Sequence, residues 1–305
     1  MPNYRTRDIR NVALVGHAGS GKTTLAEALL VESGTKGEAG TIERGSTTMD
    51  HDPLERTYQH SLDSSLASLD YQGMHLNLID TAGIPDFRGP TLASLTAIET
   101  TALVINAHNG IELAARRLMR RAKQRRTCRM IIINRIDAEG VNLTQVVEDL
   151  REEFGPECLP VNLPAENLSK VRDCFFHTEG ETDIFSLSEA HEAIIDQVVE
   201  VNEELMEKYL EGEDLTREEL HSAFEQALRE GHLVPICFVS AHTGAGVHEL
   251  LDFFKNLAPS PKEGNPPQFI KGEGPEAEEV STTGAASDHV IAHVFKITND
   301  PFVGK

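Results

Sequence analysis

Gly16-His17-Ala18-Gly19-Ser20-Gly21-Lys22-Thr23-Thr24 decides how the rest of the chain is read. It matches the pattern G-x-x-x-x-G-K-[ST], with Gly16, Gly21, Lys22 and Thr23 in the fixed places. The glycines let successive backbone N–H groups turn inward on a phosphate, and a helix that follows presents its positive end to the same anion. Lys22 is placed to reach β- and γ-phosphate oxygens, and Thr23 to offer its hydroxyl to Mg²⁺. His17, Ala18, Gly19, Ser20 and Thr24 complete the candidate phosphate-binding loop. The flanks agree with this reading: apolar residues 12–15 read as a strand entering the loop, and 25–31 as a helix leaving it, with Gly34 as its stop.

A chain of 305 residues, 39% of them hydrophobic, suggests one large or two modest domains with a real core. No apolar run approaches the roughly 18 residues that a membrane span needs. The polar, mixed-charge residues 1–10 do not read as a secretory signal. Cys128, Cys158, Cys174 and Cys237 are scattered without a C-x-x-C pair, which reads as reduced thiols in a cytosolic protein with neither zinc site nor disulfide framework. The net charge of −21 argues against non-specific binding to nucleic acid, and no DNA partner is expected. One stretch runs the other way. Arg116, Arg117, Arg120, Arg121, Lys123, Arg125, Arg126 and Arg129 fall close together on an expected helix, either as a solvated face or as a contact for RNA or protein.

Residues 34–54, rich in Gly, Thr, Glu and Asp, read as a long flexible loop of functional type. Leu62, Leu66 and Leu69 lead into a Tyr71-Gln72-Gly73 turn, after which Met74, Leu76 and Leu78 alternate with polar residues, so two strands joined by a tight turn are expected. The second ends in Asp80-Thr81-Ala82-Gly83. D-x-x-G is weak alone, but at the C-terminal end of a strand after a phosphate loop it falls where doubly wound sheets place ligands. Asp80 would then hold Mg²⁺ through a water, and the Gly83 N–H would meet the γ-phosphate. Buried strands are expected over 102–106 and 130–133, the latter running into Asn134-Arg135-Ile136-Asp137. The Asp137 carboxylate can accept from the ring N–H and the exocyclic amine of guanine. Adenine offers no such pair, and leaves buried acceptors unpaired at a cost of about 1–3 kcal/mol each. Asn134 would tie this segment to the phosphate loop. A last strand over 236–239 delivers Ser240-Ala241, whose backbone N–H can meet the guanine carbonyl. A helix over 247–257 closes the series, and 259–267 reads as a linker.

The order and content of these segments resemble the GTP-binding domain of translational GTPases, elongation factor G in particular. That family carries an extra subdomain between its base-binding motifs, and here residues 138–235 fill the gap. Within it, Val201-Asn202-Glu203-Glu204-Leu205-Met206-Glu207-Lys208-Tyr209-Leu210-Glu211-Gly212 is similar to the family's helix and acidic turn, and Leu159-Pro160-Val161-Asn162-Leu163-Pro164 to its opening strand. Residues 292–305, AHVFKITNDPFVGK, are similar to the first strands of the second domain. The resemblance implies an α/β fold: a P-loop GTPase with a doubly wound, mostly parallel sheet, an inserted α+β subdomain and the start of a β-barrel domain. It implies a GTP-binding domain over 1–258 with 138–235 inserted, a linker over 259–287, and a second domain begun over 288–305, which elongation factor G continues well past the equivalent of Lys305. It also implies GTP/GDP and Mg²⁺ as ligands, the ribosome as partner, a monomer, a cytoplasmic location and no membrane.

Departures from the family bear on mechanism. Family members read D-T-P-G-H-x-D-F, with a histidine that helps place the attacking water. Here Ile84 stands in that position and can neither donate nor accept a hydrogen bond, unless another residue takes over. The family's R-G-I-T is absent, and an ungapped reading from Asp52-Pro53 puts Ser61 where the threonine would contact Mg²⁺ and the γ-phosphate. Lys22, Ser61 and Ile84 are thus the candidate catalytic positions, with Thr23, Ser61 and Asp80 for the metal. Arg135 replaces the usual lysine over the base, a swap that is not automatically conservative. Three functions fit: a ribosome-linked GTPase slowed by Ile84, a nucleotide-sensing module that does not hydrolyse GTP, and a P-loop kinase or ATPase. Asn134, Asp137 and the insert weigh against the third.

Overall fold

The computed structural model describes residues 4–213, 215–265, 269–274, 277–280 and 292–298. Its centre is a seven-stranded sheet built from β1 (Ile9–Val15), β2 (Ser65–Tyr71), β3 (Met74–Asp80), β4 (Thr100–Asn106), β5 (Cys128–Asn134), β6 (Cys158–Pro160) and β9 (Val234–Phe238). Their order is β2-β3-β1-β4-β5-β9-β6. Every pairing is parallel except β2 with β3. Every residue of β4, β5 and β9 is buried, which is why 102–105 and 130–133 read as apolar runs. Edge strand β2 instead alternates buried and exposed positions. The β2–β3 hairpin turns through Gln72 and Gly73, both at positive φ (46° and 88°), the geometry that matches the twist of a two-residue hairpin.

From β1 the chain crosses to β3 on one side and to β4 on the other. The strand order therefore reverses at β1, and a crevice opens outside the C-terminal strand ends there. Helix α1 (Lys22–Glu32) leaves β1 through the phosphate loop, α2 (Pro53–Tyr58) and α3 (Arg88–Ser94) flank the β2–β3 hairpin in sequence, and α4 (Leu113–Arg125) and α5 (Leu143–Phe154) follow β4 and β5. After β6 come a two-stranded ribbon of β7 (Asn162–Ala165) and β8 (Lys170–Asp173) and the helices α6 (Leu187–Val199), α7 (Glu203–Leu210) and α8 (Arg217–Glu230). The N-caps Ser186, Asn202 and Thr216 of these helices each accept a backbone N–H with their side chains. Phe175 and Phe224, with ring centroids 4.7 Å apart, join this part to α9 (Val247–Asn256) through Phe253. One hydrophobic core runs through all of it.

Several expectations are corrected. The basic helix stops at Arg125, with Arg126 as a left-handed cap, so Arg129 lies instead in β5, 6% exposed, donating to the Gly231 carbonyl at 3.3 Å. Of the stretch 138–235, α5 and β6 are not apart from the sheet, because β6 pairs with β9 at its edge. The linker expected from Pro259 begins as a packed segment. Pro259 and Ser260 are buried, and the Asn265 side-chain amide donates to the Arg126 and Arg229 carbonyls at 2.7 and 2.9 Å. A small antiparallel ribbon, β10 (Phe269–Lys271) with β11 (Glu278–Val280), follows within the stretch expected as linker. Of the second-domain start, residues 292–298 carry no strand, although Phe295 packs on the core and Lys296 pairs with Asp63 at 3.0 Å; 288–291 and 299–305 lie outside the described residues. Among the described residues no helix is long and apolar enough to cross a membrane.

Candidate guanine-nucleotide site

The phosphate loop, the Asp80–Ile84 segment, Asn134–Asp137 and Ser240–Ala241 all leave C-terminal strand ends on one side of the sheet. Close packing explains the glycines. A Cβ on Gly21 would lie 2.3 Å from the Asn134 amide, and one on Gly83 would lie 2.6 Å from the Ala18 nitrogen and 2.7 Å from Lys22 Nζ. Gly21 also sits at φ 88° as the N-cap of α1, a left-handed position that favours glycine. Lys22 Nζ donates to the Gly16 and His17 carbonyls at 3.1 and 2.9 Å. Burial pushes its pKa down, against the pull of Asp80.

Thr23 and Asp80 meet directly, Thr23 Oγ1 donating to Asp80 Oδ2 at 2.6 Å. The other carboxylate oxygen, Asp80 Oδ1, is buried with no partner. Burial raises the Asp80 pKa to about 6, while Lys22 and the Thr23 hydroxyl work in the opposite direction. An orphaned carboxylate oxygen beside a threonine hydroxyl is a hard-oxygen donor set that fits Mg²⁺. Ser61 stands 3.4 Å from Thr23 Oγ1 and donates to Asp50 Oδ1 at 3.3 Å. Asp50, itself buried and bonded to Thr47 at 2.6 Å, brings a further carboxylate to this cluster that sequence reading did not single out.

A small cavity of about 80 Å³ faces Lys22, Thr23, Asp50, Ser61, Gly83 and Ile84. Ala18, Gly19, Gly21, Thr24 and Arg135 also border it, as do Gln59 and His60. Beside it opens a cavity of about 500 Å³ edged by Asn134, Arg135, Asp137, Ala241 and His242. Asn134, at the edge of the larger cavity, ties the phosphate loop to the neighbouring segments. Its Nδ2 donates to the Ser20 carbonyl at 3.0 Å, while its Oδ1 accepts from the Arg135 and Ala241 N–H groups at 2.8 and 3.1 Å. The Ala241 N–H expected at the guanine carbonyl is thus given to Asn134, and the Ser240 N–H goes to the Ala245 carbonyl at 2.8 Å. His17 contributes its carbonyl to Lys22; its buried ring has no hydrogen-bond partner and borders neither cavity. Ser20 and Ser240 are likewise buried behind the cavity walls.

The loop 34–54 is pinned, contrary to the flexible loop expected. Glu27 of α1 is fully buried, and its carboxylate accepts from Lys36 Nζ and the Gly40 N–H, both at 2.6 Å, and from the Thr48 N–H. Burial alone would raise its pKa, but the bonds from Lys36, Thr48 and Gly40 together hold it below the usual glutamate range. The pinned loop lays Gly40, Thr41, Ile42 and Glu43 along the larger cavity, and Ile42 reaches the smaller one too. After it, α2 opens with a capping box between Asp52 and Glu55 and Pro53 at its first position, a signal present in D-P-L-E.

Residues 7–260 match the family described as the elongation factor Tu GTP binding domain. Among curated relatives, the chain is 33% identical over 310 residues to an elongation factor G-like protein of Mycobacterium tuberculosis, covering 97% of this chain and 43% of that protein. It is 32% identical over 312 residues to an elongation factor G-like protein of Thermotoga maritima, covering 98% and 44%. A crystal structure of a Thermus thermophilus protein superposes with a TM-score of 0.80 at 32% identity, over 98% of this chain and 44% of that one. The chain thus spans less than half the length of these relatives. With a phosphate loop, an Asp80 segment and an Asn134 node around one cleft, and a family match over residues 7–260, the chain belongs to the family of the elongation factor Tu GTP-binding domain.

Proposed function

We propose that this chain binds GTP and GDP with Mg²⁺ and hydrolyses GTP to GDP and phosphate as a translational GTPase of the elongation factor G type, working at the ribosome in the cytoplasm as a monomer. Residues 1–258 form its GTP-binding domain, and the insert lies within 138–235, after β6, which pairs in the main sheet. The observation that carries this reading is the Asn134 side chain, which joins the phosphate loop to the segments that would hold the base. Asp137 accepts from the guanine edge and Arg135 lies over the ring. Lys22 holds the β- and γ-phosphates, and Gly83 donates its N–H to the γ-phosphate. Thr23, Asp80 and Ser61 would hold Mg²⁺, which when bound would neutralise charge building on the phosphate oxygens.

Ile84 faces the phosphate cavity and offers no polar atom to an attacking water, so intrinsic turnover is slow. The polar side chains edging the same cavity on the loop side are Asp50, Gln59, His60 and Ser61. The Gln59 amide, the His60 imidazole and the Ser61 hydroxyl can each donate to and accept from a water; imidazole is the side chain that most often moves the proton, and His60 is the substitute for the residue that Ile84 displaces. The alternative, a nucleotide-sensing module without hydrolysis, rests on Ile84 alone. Single-turnover GTP hydrolysis with and without ribosomes tests the proposal, using the unmodified protein, its Ile84→His and its His60→Ala variants. Slow intrinsic turnover is expected, stimulated by ribosomes, accelerated by Ile84→His and lowered by about 10²-fold in His60→Ala. Turnover that is absent under every condition supports the sensing module. Stimulated turnover that His60→Ala leaves unchanged removes His60 from the mechanism.

A further inference from the structure

A second cavity of about 500 Å³ lies between the Ala82–Leu92 segment and α4, away from the base-binding face. Ala82, Pro85 and Leu92 form one wall, and Leu113 and Leu118 the other. Leu113 is 62% exposed at its mouth, an unusual place for a leucine on a helix that otherwise carries charge outward. Arg88, Arg117, Arg120 and Arg121 ring the opening, all exposed, and none has a carboxylate partner among the described residues. Arg116, one residue away, is by contrast paired with Glu153 at 3.2 Å. At the inner end Glu112 approaches the buried His17 ring at 3.4 Å. Burial keeps that ring's pKa low despite Glu112, so the ring adds no cation there.

We propose that this cavity is a docking site for an acidic protein segment that inserts one apolar side chain and lays flanking carboxylates on the arginine rim. Charge selects the class of partner. Four guanidiniums with no carboxylate partner among the described residues, on a chain of net charge −21, form a local positive field inside a repulsive surround, which a short acidic segment can enter and an extended polyanion cannot. The apolar walls select the anchor. A cavity of this size suits a buried aliphatic or aromatic side chain, and RNA phosphates would satisfy the rim while leaving the walls empty. Arginine and carboxylate then pair through two parallel N–H···O bonds. Because Ala82 and Gly83 belong to the wall, a docked segment touches the stretch that follows Asp80.

Fluorescence anisotropy of this chain with three labelled probes tests the proposal: a peptide of about twelve residues alternating Glu and Asp with two Phe residues, a polyglutamate of the same length, and a single-stranded RNA of the same length. The Phe-bearing acidic peptide is expected to bind, and Leu113→Ser and Arg121→Glu to weaken it by about tenfold each. Lys123→Glu, on the same helix but not lining the cavity, should leave it within about twofold. Circular dichroism melts check that the exposed substitutions leave the fold intact. Equal binding of polyglutamate, tighter binding of RNA, or an equal loss in Lys123→Glu would each overturn the cavity as a site for an apolar-anchored acidic segment.

Discussion

Replacing Glu27 by glutamine keeps the side chain's shape and removes its charge. The carboxylate collects three donors, Lys36 Nζ, the Gly40 N–H and the Thr48 N–H, with no exposure of its own. An amide retains one acceptor oxygen and turns an NH₂ toward donors that it cannot satisfy. Hydrogen bonds to a charged group are worth about 1.5–3 kcal/mol each, and removing one partner of a buried pair costs about 3–5 kcal/mol. Lys36 is 30% exposed and can recover water, so we take about 2–3 kcal/mol for the loosening of the loop. That is roughly a 30- to 150-fold rise in its open population. Since Gly40–Glu43 border the cavity proposed to hold the base, GDP dissociation from Glu27→Gln is predicted to accelerate by one to two orders of magnitude, with a much smaller change in association rate. Stopped-flow chase of fluorescent GDP measures both, and amide exchange of residues 36–48 reports the opening. Lys36→Met, which leaves the carboxylate its two backbone donors, should give the smaller effect of the two. Dissociation within a factor of two of the parent, with exchange raised evenly across the chain, would show Glu27 to be general packing and refute the latch.

Asp137→Asn is predicted to move base preference from guanine toward xanthine, because the amide offers a donor where xanthine carries a carbonyl; competition with XTP, GTP and ATP reads it, and unchanged GTP affinity would remove Asp137 from the base site. Glu99 is buried enough to raise its pKa to about 7, with the Asn11 amide at 2.9 Å opposing that rise. A folded-state pKa above the unfolded one means that the favourable state is the protonated one, fully present below about pH 4.5 and lost as pH climbs through about 7. Glu99→Gln should therefore raise the melting temperature at pH 8, by a stabilisation on the order of 2 kcal/mol, and leave it nearly unchanged at pH 4.5. A gain of equal size at both pH values would show that Glu99 is not the titrating group.

Much of the candidate site was legible because its signals are local. A glycine loop, a strand-end aspartate and a lysine in the first turn of a helix are contiguous signals, and the positive-φ pair Gln72-Gly73 announces its hairpin. Glu27 was not legible. In the sequence it is a polar residue between Ala26 and Ala28 on a short helix, and only the return of a loop 9 to 21 residues later makes it an anchor. Asp50 was hidden for the same reason, its neighbours Ser61 and Asp80 being brought to it by tertiary contacts. Arg129 misled because charge suggested the helix to continue, whereas the buried apolar run over β5 claims the residue and the Gly231 carbonyl accepts from its guanidinium. Strand β6 was legible as a strand, but its place in the main sheet depends on β9, more than 70 residues later.

The proposed site divides its tasks between two kinds of support. Lys22, Thr23, Asp80 and Asn134 stand on buried strand ends and the first turn of α1, where packing on both sides of the sheet leaves them little freedom. Gln59, His60 and Ser61, the polar groups opposite Ile84, stand on a connection whose position is set by two buried carboxylates: Glu55 accepts from the Leu62 N–H at 2.9 Å, and Asp50 from Ser61. Nucleotide affinity should then depend on that connection only through Ser61, and turnover on all three residues. A group that binds substrate and transition state equally adds nothing to the rate, so the rate must come from side chains that the loop can bring closer only as charge develops. With Ile84 supplying none, the burden falls on residues 59–61. The parent is therefore expected to lose turnover far more than GTP affinity when Glu55→Gln weakens their support, and single-turnover hydrolysis beside equilibrium GTP titration of that variant reads the two apart; an equal loss in both would show that the connection serves binding and not the chemical step.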